Sequence, residues 1–362
     1  MEGGASDGIV VFFSKMNEKK DDIIGNFKSN DYLGLSKHPL LTQVVSDAVL
    51  RFGCGSTGSR LMSGNHVEFE KTEDAISKWV GKEASAMFNS GFQMNSTIFK
   101  VWCTDSTLVI ADKWVHASLI DGILHSSATL RRFRHNDTHH LDQILKMNQG
   151  CYDQIIIVCE SIYSMDGDTC PIQDIIRLKN QYQAILVVDE AHSIGCYGQN
   201  GNGWLNAQGV IESVDIVLLT FGKAFGLCGA MVMGRSDWIN QIKRLCRGYI
   251  YTTALPIPIA VGIQFACQLI SEGSHFRQQL MDRISFFKSM VSTPSSTAIQ
   301  PLFFNDVDQA SRYLQSKGYL VHAVHSPTVP VGQSRIRISI LASHRPDQIQ
   351  ALASCLQHLQ YA

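Results

Sequence analysis

The chain has 362 residues, of which 45% are hydrophobic and 17% are charged, and its formal net charge is -1. This length and composition indicate an ordinary globular protein with a large core, built as two domains or as one domain with a smaller appendage. A net charge near zero argues against nucleic acid or an anionic membrane surface as a non-specific partner.

The ten cysteines contain no Cys-x-x-Cys pair and lie in apolar surroundings. This pattern predicts reduced thiols and a cytoplasmic protein. The apolar segment 8–13 is too short for a secretory signal. The most apolar later stretch, 255–270, is interrupted by two prolines and two glutamines, so no membrane span is predicted.

The outer part of segment 1–28 has few apolar anchors and is predicted to be mobile. Amphipathic helices are predicted over 40–51 and 66–80. Strand-like and helical runs then alternate, which predicts β-α-β units and a mostly parallel sheet covered on both faces. Segment 84–92 is predicted to run from a short strand into a turn at 90–92 and a helix. The further strands fall at 107–111, 128–133, 154–159, 184–188 and 216–219, and the further helices at 116–124, 138–147 and 172–181.

A smaller unit follows a long helical region over 259–290. Its predicted strands are 298–304, 319–325 and 335–340, and its predicted helices are 307–317 and 346–359. We therefore expect an N-terminal segment at 1–35, a large domain at 36–265 and a small C-terminal α/β domain at 266–362.

The apolar run 216–219 changes abruptly to Thr220 and then to Lys223, which stands between Gly222 and Gly226. Such a strand can deliver the lysine into a cavity, where burial lowers its pKa from the usual value of about 10.4. The amine then becomes a usable nucleophile for Schiff-base chemistry. The alternative is a solvated lysine on a turn between a strand and a helix.

Other polar residues follow predicted strands, and sites in open α/β sheets form where the strands end. These residues are Glu160 and Ser164 after 154–159, Asp189 and His192 after 184–188, and His116 after 107–111. The turn Ser90, Gly91 and Phe92 joins a strand to a helix and can bind a phosphate through backbone N–H groups.

These residue types fit pyridoxal phosphate. Lys223 would bind its aldehyde, Asp189 would pair with the ring nitrogen, and His192 with Ser164 would contact the phenolic oxygen. His116 would lie against the ring, and the turn at Gly91 and Phe92 would hold the phosphate.

Each assignment has an alternative. Asp189 could cap a helix, and either histidine could be a core or surface residue. Residues 189–192 also spell a helicase motif, but no phosphate-binding loop of that class occurs in the chain. A zinc site at Asp189 and His192 lacks a third ligand at a recognisable spacing, so no metal is expected.

Segments 29–35, 161–168, 188–195 and 220–226 resemble those of the α-oxoamine synthases. The resemblance covers about residues 28–362. It implies pyridoxal-phosphate-dependent transferase fold type I and a homodimer with shared active sites. The implied reaction joins an amino acid to an acyl thioester with loss of CO2. Segments 299–302, 326–330 and 335–339 most resemble the branch that acts in biotin synthesis, which implies L-alanine and either pimeloyl-CoA or the carrier-protein form of the acyl group.

The resemblance also implies roles for single residues. Lys223 matches the Schiff-base lysine, and Arg337 matches the arginine that holds the substrate carboxylate, with Asn30 nearby. Thr252 and Thr253 match residues that reach the phosphate from the second subunit. Asp189, His192, Ser164, His116, Gly91 and Phe92 match the roles given above. The alternation over 335–340 puts Arg335 and Arg337 on one face, so a solvated strand face is the alternative for both.

Fewer residues precede Ser29 than is usual for the family. Contacts to the acyl chain are expected from that N-terminal portion, so the resemblance indicates the acyl specificity less directly than the other features. A sister enzyme with other substrates, such as a glycine C-acetyltransferase or an aminoketone signal synthase, is the closest alternative function. A non-catalytic scaffold without cofactor is the alternative from another class.

Overall fold

The computed structural model describes residues 24–360 of the chain. Within that range the strands are β1 (Gly25–Asn26), β2 (Ala84–Phe88), β3 (Thr107–Asp112), β4 (Thr129–Phe133), β5 (Gln154–Glu160), β6 (Ile185–Asp189), β7 (Ile216–Thr220), β8 (Ala230–Gly234), β9 (Ile299–Leu302), β10 (Tyr319–Leu320), β11 (His322–Val324) and β12 (Arg335–Ser339). The α-helices are α1 (Pro39–Phe52), α2 (Val67–Val80), α3 (Gly91–Trp102), α4 (Ala117–Leu124), α5 (Thr138–Met147), α6 (Ile172–Gln181), α7 (Trp204–Ala207), α8 (Ser236–Leu245), α9 (Arg247–Ile250), α10 (Ile257–Glu272), α11 (Ser274–Met290), α12 (Val307–Ser316) and α13 (Pro346–Gln360).

One large sheet holds the strands β2, β8, β7, β6, β5, β3 and β4 side by side in that order. Each neighbouring pair from β7 to β4 is parallel, whereas β8 runs antiparallel to both β2 and β7. The predicted mostly parallel sheet is confirmed.

The central strands are apolar at successive positions because both of their faces are buried. All six residues of β3 are buried, as are the first four of β7. Parallel strands end at the same edge of a sheet, so the polar residues that follow β3, β5, β6 and β7 meet at one rim.

Two helices begin at this rim, and each has a side-chain cap. Ser90 Oγ accepts a hydrogen bond from the Gln93 N–H at 3.2 Å and caps α3. His116 Nδ1 accepts one from the Ser118 N–H at 3.3 Å and caps α4. Caps of this kind typically stabilise a helix by about 1 kcal/mol, and here they also place the first turns of α3 and α4 beside the strand ends.

A second unit is built on the antiparallel sheet β11, β12 and β9. The N-terminal strand β1 pairs with β10 of this unit in parallel. The chain then follows the unit further, since the Ser339 N–H donates to the Phe27 carbonyl at 2.7 Å and the Ala342 N–H donates to the Tyr32 carbonyl at 2.8 Å. Residues 25–32 therefore connect the C-terminal unit to the rim of the large sheet.

Most predicted elements form within one or two residues of their expected bounds, but two do not. The helical region 259–290 is divided at Gly273 into α10 and α11, and the strand over 319–325 is divided into β10 and β11, which pair with different strands. The predicted domain boundaries remain a proposal, and residue 266 lies inside α10. The predicted mobility falls mostly on residues 1–23, outside the described residues. Among helices of residues 24–360, none combines the length and the apolar character needed to cross a membrane.

Candidate active site

A cleft opens at the rim where β3, β5, β6 and β7 end. Its lining combines the first turns of α3 and α4 with the residues at these strand ends: Gly91, Phe92, Met94, Asn95, His116, Ser118, Glu160, Asp189, Ala191, His192, Leu219, Thr220 and Lys223. Most of the predicted cofactor residues are therefore brought together in one place.

Lys223 is half-buried, and its Nζ lies 2.8 Å from Nε2 of His192. Burial lowers the pKa of Lys223 to about 8, although the carboxylates of Asp189 and Glu160 act in the opposite direction. Burial also lowers the pKa of His192 well below its usual range, and the charges of Lys223 and Arg337 add to that effect. The site thus holds a neutral imidazole beside an amine that loses its proton more readily than an exposed lysine does.

The turn that carries Lys223 depends on one of its two flanking glycines. Gly226 has a φ of +68°, and a Cβ there would lie 2.2 Å from the backbone nitrogen of Ser36. Gly222 has room for a side chain, since the nearest atom to an added Cβ would be 3.7 Å away. Only Gly226 is required by the backbone.

Asp189 ends β6, and its side chain is buried beside the cleft. Its Oδ1 accepts the Ala191 N–H at 2.8 Å, which is a capping contact of the following turn. Its Oδ2 lies 3.4 Å from Nδ2 of Asn95. The capping alternative therefore accounts for one carboxylate oxygen, and the other lies at the cleft, where it accepts from Asn95.

His116 is held by two contacts. Its Nδ1 lies 2.8 Å from Oγ of Ser118, and its backbone N–H donates to Oε1 of Glu160 at 2.5 Å. Burial lowers the pKa of His116, so the ring is neutral at physiological pH. A neutral flat ring on the cleft wall suits contact with another flat ring.

Asn95 and Ser118 connect His116 to Asp189, and the sequence analysis missed both. Asn95 Nδ2 donates to Ser118 Oγ at 3.0 Å and lies near the Asp189 carboxylate, whereas its buried Oδ1 has no hydrogen-bond partner among residues 24–360. Neither residue directly follows a strand, which is where site residues are expected in an open α/β sheet. A polar side chain near the start of each of the two helices α3 and α4 is the sequence signal for both.

Glu160 lies at a strand end, as the sequence indicates, and the sequence assigns it no role. It pairs with Asp189 across β5 and β6 and lines the cleft. Burial, together with the Asp189 charge, raises the pKa of Glu160 well above its usual range. Glu160 therefore keeps its proton to higher pH than an exposed glutamate does.

Arg337 is buried, and its donors point in several directions. Nε donates to the Ser164 carbonyl at 2.6 Å, Nη1 to Ser339 Oγ at 2.7 Å and Nη2 to Asn30 Oδ1 at 3.0 Å. Within residues 24–360, no carboxylate pairs with this guanidinium. A buried arginine without a carboxylate partner suits the binding of a carboxylate ligand.

Arg335 differs from Arg337 although both lie on β12. It is fully buried, pairs with Asp166 Oδ1, and stacks its guanidinium 4.8 Å from the centroid of the Phe303 ring. The alternative of a solvated strand face is therefore wrong for both arginines, because the residues of this strand are buried on both faces.

Three predicted cofactor residues do not line the cleft of the described chain. Ser164 contacts Arg337 only through its carbonyl. Thr252 and Thr253 lie near Asn89, whose Nδ2 donates to the Thr253 carbonyl at 2.8 Å and lies 3.4 Å from Thr252 Oγ1. Their predicted roles at the cofactor remain untested.

Comparisons with known proteins agree with this architecture. A sequence model of the family "Aminotransferase class I and II" matches residues 22–356. An 8-amino-7-oxononanoate synthase from Chromobacterium violaceum is 39% identical over 335 residues, which cover 90% of this chain and 87% of that protein. One from Photobacterium profundum is 36% identical over 344 residues, covering 92% of this chain and 87% of that protein.

Solved structures give the same picture. A serine palmitoyltransferase from S. paucimobilis with a bound PLP–myriocin aldimine superposes with a TM-score of 0.88 at 28% identity, covering 93% of this chain and 87% of that chain. An 8-amino-7-oxononanoate synthase from Francisella tularensis superposes with a TM-score of 0.80 at 28% identity, covering 94% of this chain and 99% of that chain.

Proposed function

Since the chain belongs to the class I and II aminotransferase family, and within it to the α-oxoamine synthases, we propose that it is the pyridoxal-phosphate-dependent acyltransferase that makes 8-amino-7-oxononanoate for biotin synthesis. Its substrates are L-alanine and a pimeloyl thioester, carried by CoA or a carrier protein. A carbon–carbon bond forms between Cα of alanine and the acyl carbon, the thiol leaves, and the alanine carboxylate is lost as CO2.

The observation that carries this proposal is the juxtaposition of Lys223, Asp189 and His192 in one cleft of a fold type I transferase. The cleft residues fit pyridoxal phosphate. Asn95 offers a buried oxygen without a partner, and the capped N-terminus of α3 offers N–H groups to a phosphate. When bound, the cofactor supplies an electron sink for a carbanion at the substrate Cα.

The residues of the chain would then act as follows. Lys223 would hold the cofactor through Nζ and, once released, take the Cα proton, a general-base step worth roughly 10²–10⁴-fold. Asp189 would place Oδ2 at the ring nitrogen, and His192 would donate to the phenolic oxygen. His116 would lie against the ring and exclude water from that face.

The remaining residues would bind the two anionic groups. Gly91, Phe92 and Thr220 would hold the phosphate, since α3 begins there and the Thr220 hydroxyl lines the same cleft. Arg337 and Asn30 would hold the alanine carboxylate. Losing that carboxylate as CO2 leaves an electron pair at Cα, which then takes up a proton. Arg337 therefore has to bind the carboxylate without protonating it, and a guanidinium meets that requirement.

The test is a product analysis by mass spectrometry with a panel of amino acids and acyl-CoA thioesters. We expect 8-amino-7-oxononanoate from L-alanine and pimeloyl-CoA, and none from Lys223→Ala. A product formed only from glycine with acetyl-CoA, or only from serine with palmitoyl-CoA, would assign the chain to a sister enzyme. Purified protein without the visible and near-ultraviolet absorption of a lysine-bound pyridoxal would favour a scaffold.

A further inference from the structure

A line of hydrogen bonds runs behind the candidate active site from Lys223 to Arg337. Lys223 Nζ lies 2.8 Å from His192 Nε2, and His192 Nδ1 lies 2.7 Å from the hydroxyl of Tyr32. That hydroxyl lies 3.2 Å from Asn30 Oδ1 and 3.3 Å from Nη2 of Arg337. Tyr32 is fully buried, and the function proposed above assigns it no role.

Donors and acceptors can be counted along this line. A guanidinium only donates, so Arg337 donates to the Tyr32 oxygen and to Asn30 Oδ1. His192 is neutral in its buried site, so one ring nitrogen donates and the other accepts. Tyr32 has a single proton, which can point either to His192 Nδ1 or to Asn30 Oδ1.

Two arrangements satisfy every group on the line. In the first, charged Lys223 donates to Nε2, so Nδ1 carries the His192 proton and donates to Tyr32, whose own proton points to Asn30. In the second, Tyr32 donates to Nδ1, so Nε2 carries the His192 proton and can donate. The second arrangement requires that Lys223 is uncharged or that its nitrogen is engaged elsewhere.

We propose that Tyr32 is a positioning residue that lets His192 exchange these two tautomers. Its hydroxyl accepts from Nδ1 when Lys223 is charged and donates to Nδ1 when Lys223 is not. Between the two arrangements the network gives up one proton to solvent, namely the one that Lys223 loses, while His192 stays neutral and Tyr32 keeps one proton. This inference rests on the proposed function. The exchange explains how His192 Nε2 can accept a hydrogen bond from Lys223 in the cofactor-free site and donate one when the cofactor is bound.

The groups around this line are compatible with a neutral imidazole in both states. His192 faces Lys223, Arg337 and His116, and all three disfavour a second proton on its ring. Lys223 faces Asp189, Glu160 and Arg337. Tyr32 faces Arg337 and the buried thiol of Cys196, and burial raises its pKa to about 12, so it remains a neutral hydroxyl.

The direct measurement is the tautomer of His192 by ¹⁵N NMR on the full chain labelled at histidine, with its signals assigned by their absence from His192→Gln. Spectra of cofactor-free protein are compared at about pH 6 and about pH 10, two units on either side of the Lys223 pKa of about 8. We expect the proton on Nδ1 at the lower pH and on Nε2 at the higher pH. One and the same tautomer at both pH values overturns the proposal.

Tyr32→Phe keeps the buried ring and removes only the hydroxyl. We expect His192 in this variant to keep one tautomer at both pH values, and we expect pyridoxal-phosphate-loaded Tyr32→Phe to lose about tenfold in kcat, the size of one buried hydrogen bond. The KM for the acyl thioester should stay within about twofold, because Tyr32 does not line the cleft. A Tyr32→Phe protein that switches tautomer as wild type does contradicts the proposal.

Tyr163→Phe is the matched control. Tyr163 is buried, with 1% of its surface exposed, and its hydroxyl has no hydrogen-bond partner among residues 24–360. This variant should switch tautomer as wild type does. If wild-type protein makes none of the expected product, the proposed function fails while the tautomer measurement on cofactor-free protein still decides the role of Tyr32.

Discussion

Two arginines lie two residues apart on β12, and their contacts separate their roles. Arg335 already has a carboxylate partner in Asp166, whereas Arg337 spreads its donors over Asn30, Tyr32, Ser339 and a carbonyl. Single hydrogen bonds to neutral acceptors can be exchanged for two parallel ones to a carboxylate, which are stronger. An ion pair in the core cannot, because breaking it leaves Asp166 uncompensated.

Arg337→Lys should therefore raise the KM for the amino acid by roughly one to two decades. An ammonium cannot reproduce the two parallel hydrogen bonds of a guanidinium, and losing a charged hydrogen bond costs about 1.5–3 kcal/mol. Cofactor binding and the KM for the acyl thioester should change little in steady-state kinetics.

Arg335→Lys is the matched control, and it should lower stability while leaving the amino-acid KM within about twofold. If instead Arg335→Lys raises this KM and Arg337→Lys does not, the assignment of the carboxylate site to Arg337 is wrong.

At the scale of elements, His135 joins the end of β3 to the loop between β5 and α6. Its Nδ1 lies 2.9 Å from Asp112 Oδ1, its Nε2 lies 2.7 Å from Asp168 Oδ2, and its ring stacks on Trp114 at 3.9 Å between centroids. Burial alone would lower the pKa of His135, but the hydrogen bonds and charges of Asp112 and Asp168 outweigh it and raise the pKa to about 9. The same loop holds the Ser164 carbonyl that accepts from Arg337.

His135→Gln should therefore lower the free energy of unfolding by about 1–3 kcal/mol at about pH 6. A group whose pKa is raised on folding stabilises the protein fully below its unfolded pKa of about 6.5, and this contribution is lost as pH rises through about 9. The difference between variant and wild type should shrink above that pH in urea unfolding at one fixed protein concentration.

The control for this comparison is His139→Gln, because His139 is exposed on α5 and its Nε2 lies 3.0 Å from Nε2 of Gln143, with no carboxylate paired to it among residues 24–360. It should change the free energy of unfolding by less than about 0.5 kcal/mol both at about pH 6 and above about pH 9. If His135→Gln has the same loss in free energy of unfolding at about pH 6 as above about pH 9, the charge of His135 contributes nothing to stability.

The helices and strands could be predicted from the sequence where one physical signal, such as a run of apolar residues, dominated. Apolar runs such as 216–219 had to be buried strands, and the polar residues that followed them had to meet at one rim. The break at Gly273 was missed because the apolar pattern continues from α10 into α11. The contacts of Asn95, Ser118 and Tyr32 depend on how helices and the N-terminal segment pack on the rim, which no local pattern contains.

At the scale of the whole molecule, two neighbouring loops carry exposed apolar side chains. The Ala254 N–H donates to the Gly58 carbonyl at 2.9 Å, so the loops lie together, and Leu61, Met62 and Tyr251 on them are 68%, 82% and 73% exposed. Such a patch is typical of an interface. Thr252 and Thr253 lie in the same place, outside the Lys223 cleft, and this position is compatible with the expectation that they reach the cofactor of a second copy of the chain.

A homodimer with shared sites predicts complementation between two inactive variants. Lys223→Ala mixed in equal amounts with the double variant Thr252→Ala and Thr253→Ala should recover about a quarter of wild-type activity after subunit exchange. Half of the dimers are then hybrids, and each hybrid has one intact site of two. Either variant alone should stay inactive, and a fully active monomer in sedimentation would contradict the shared site.

The cysteines bear on the redox environment of the whole protein. All ten cysteines are free thiols, and most are buried. The cytoplasmic location remains a prediction that these thiols support.

The central claim is that Lys223 is the residue that binds pyridoxal phosphate, and reductive trapping tests it most directly. Protein loaded with the cofactor is reduced with borohydride and digested, and the pyridoxyl mass is located by peptide sequencing. We expect the label on Lys223, and we expect Lys223→Ala to fold as wild type does but to take up no label. A label on any other lysine, or a Lys223→Ala protein that is labelled to the same extent, would contradict it.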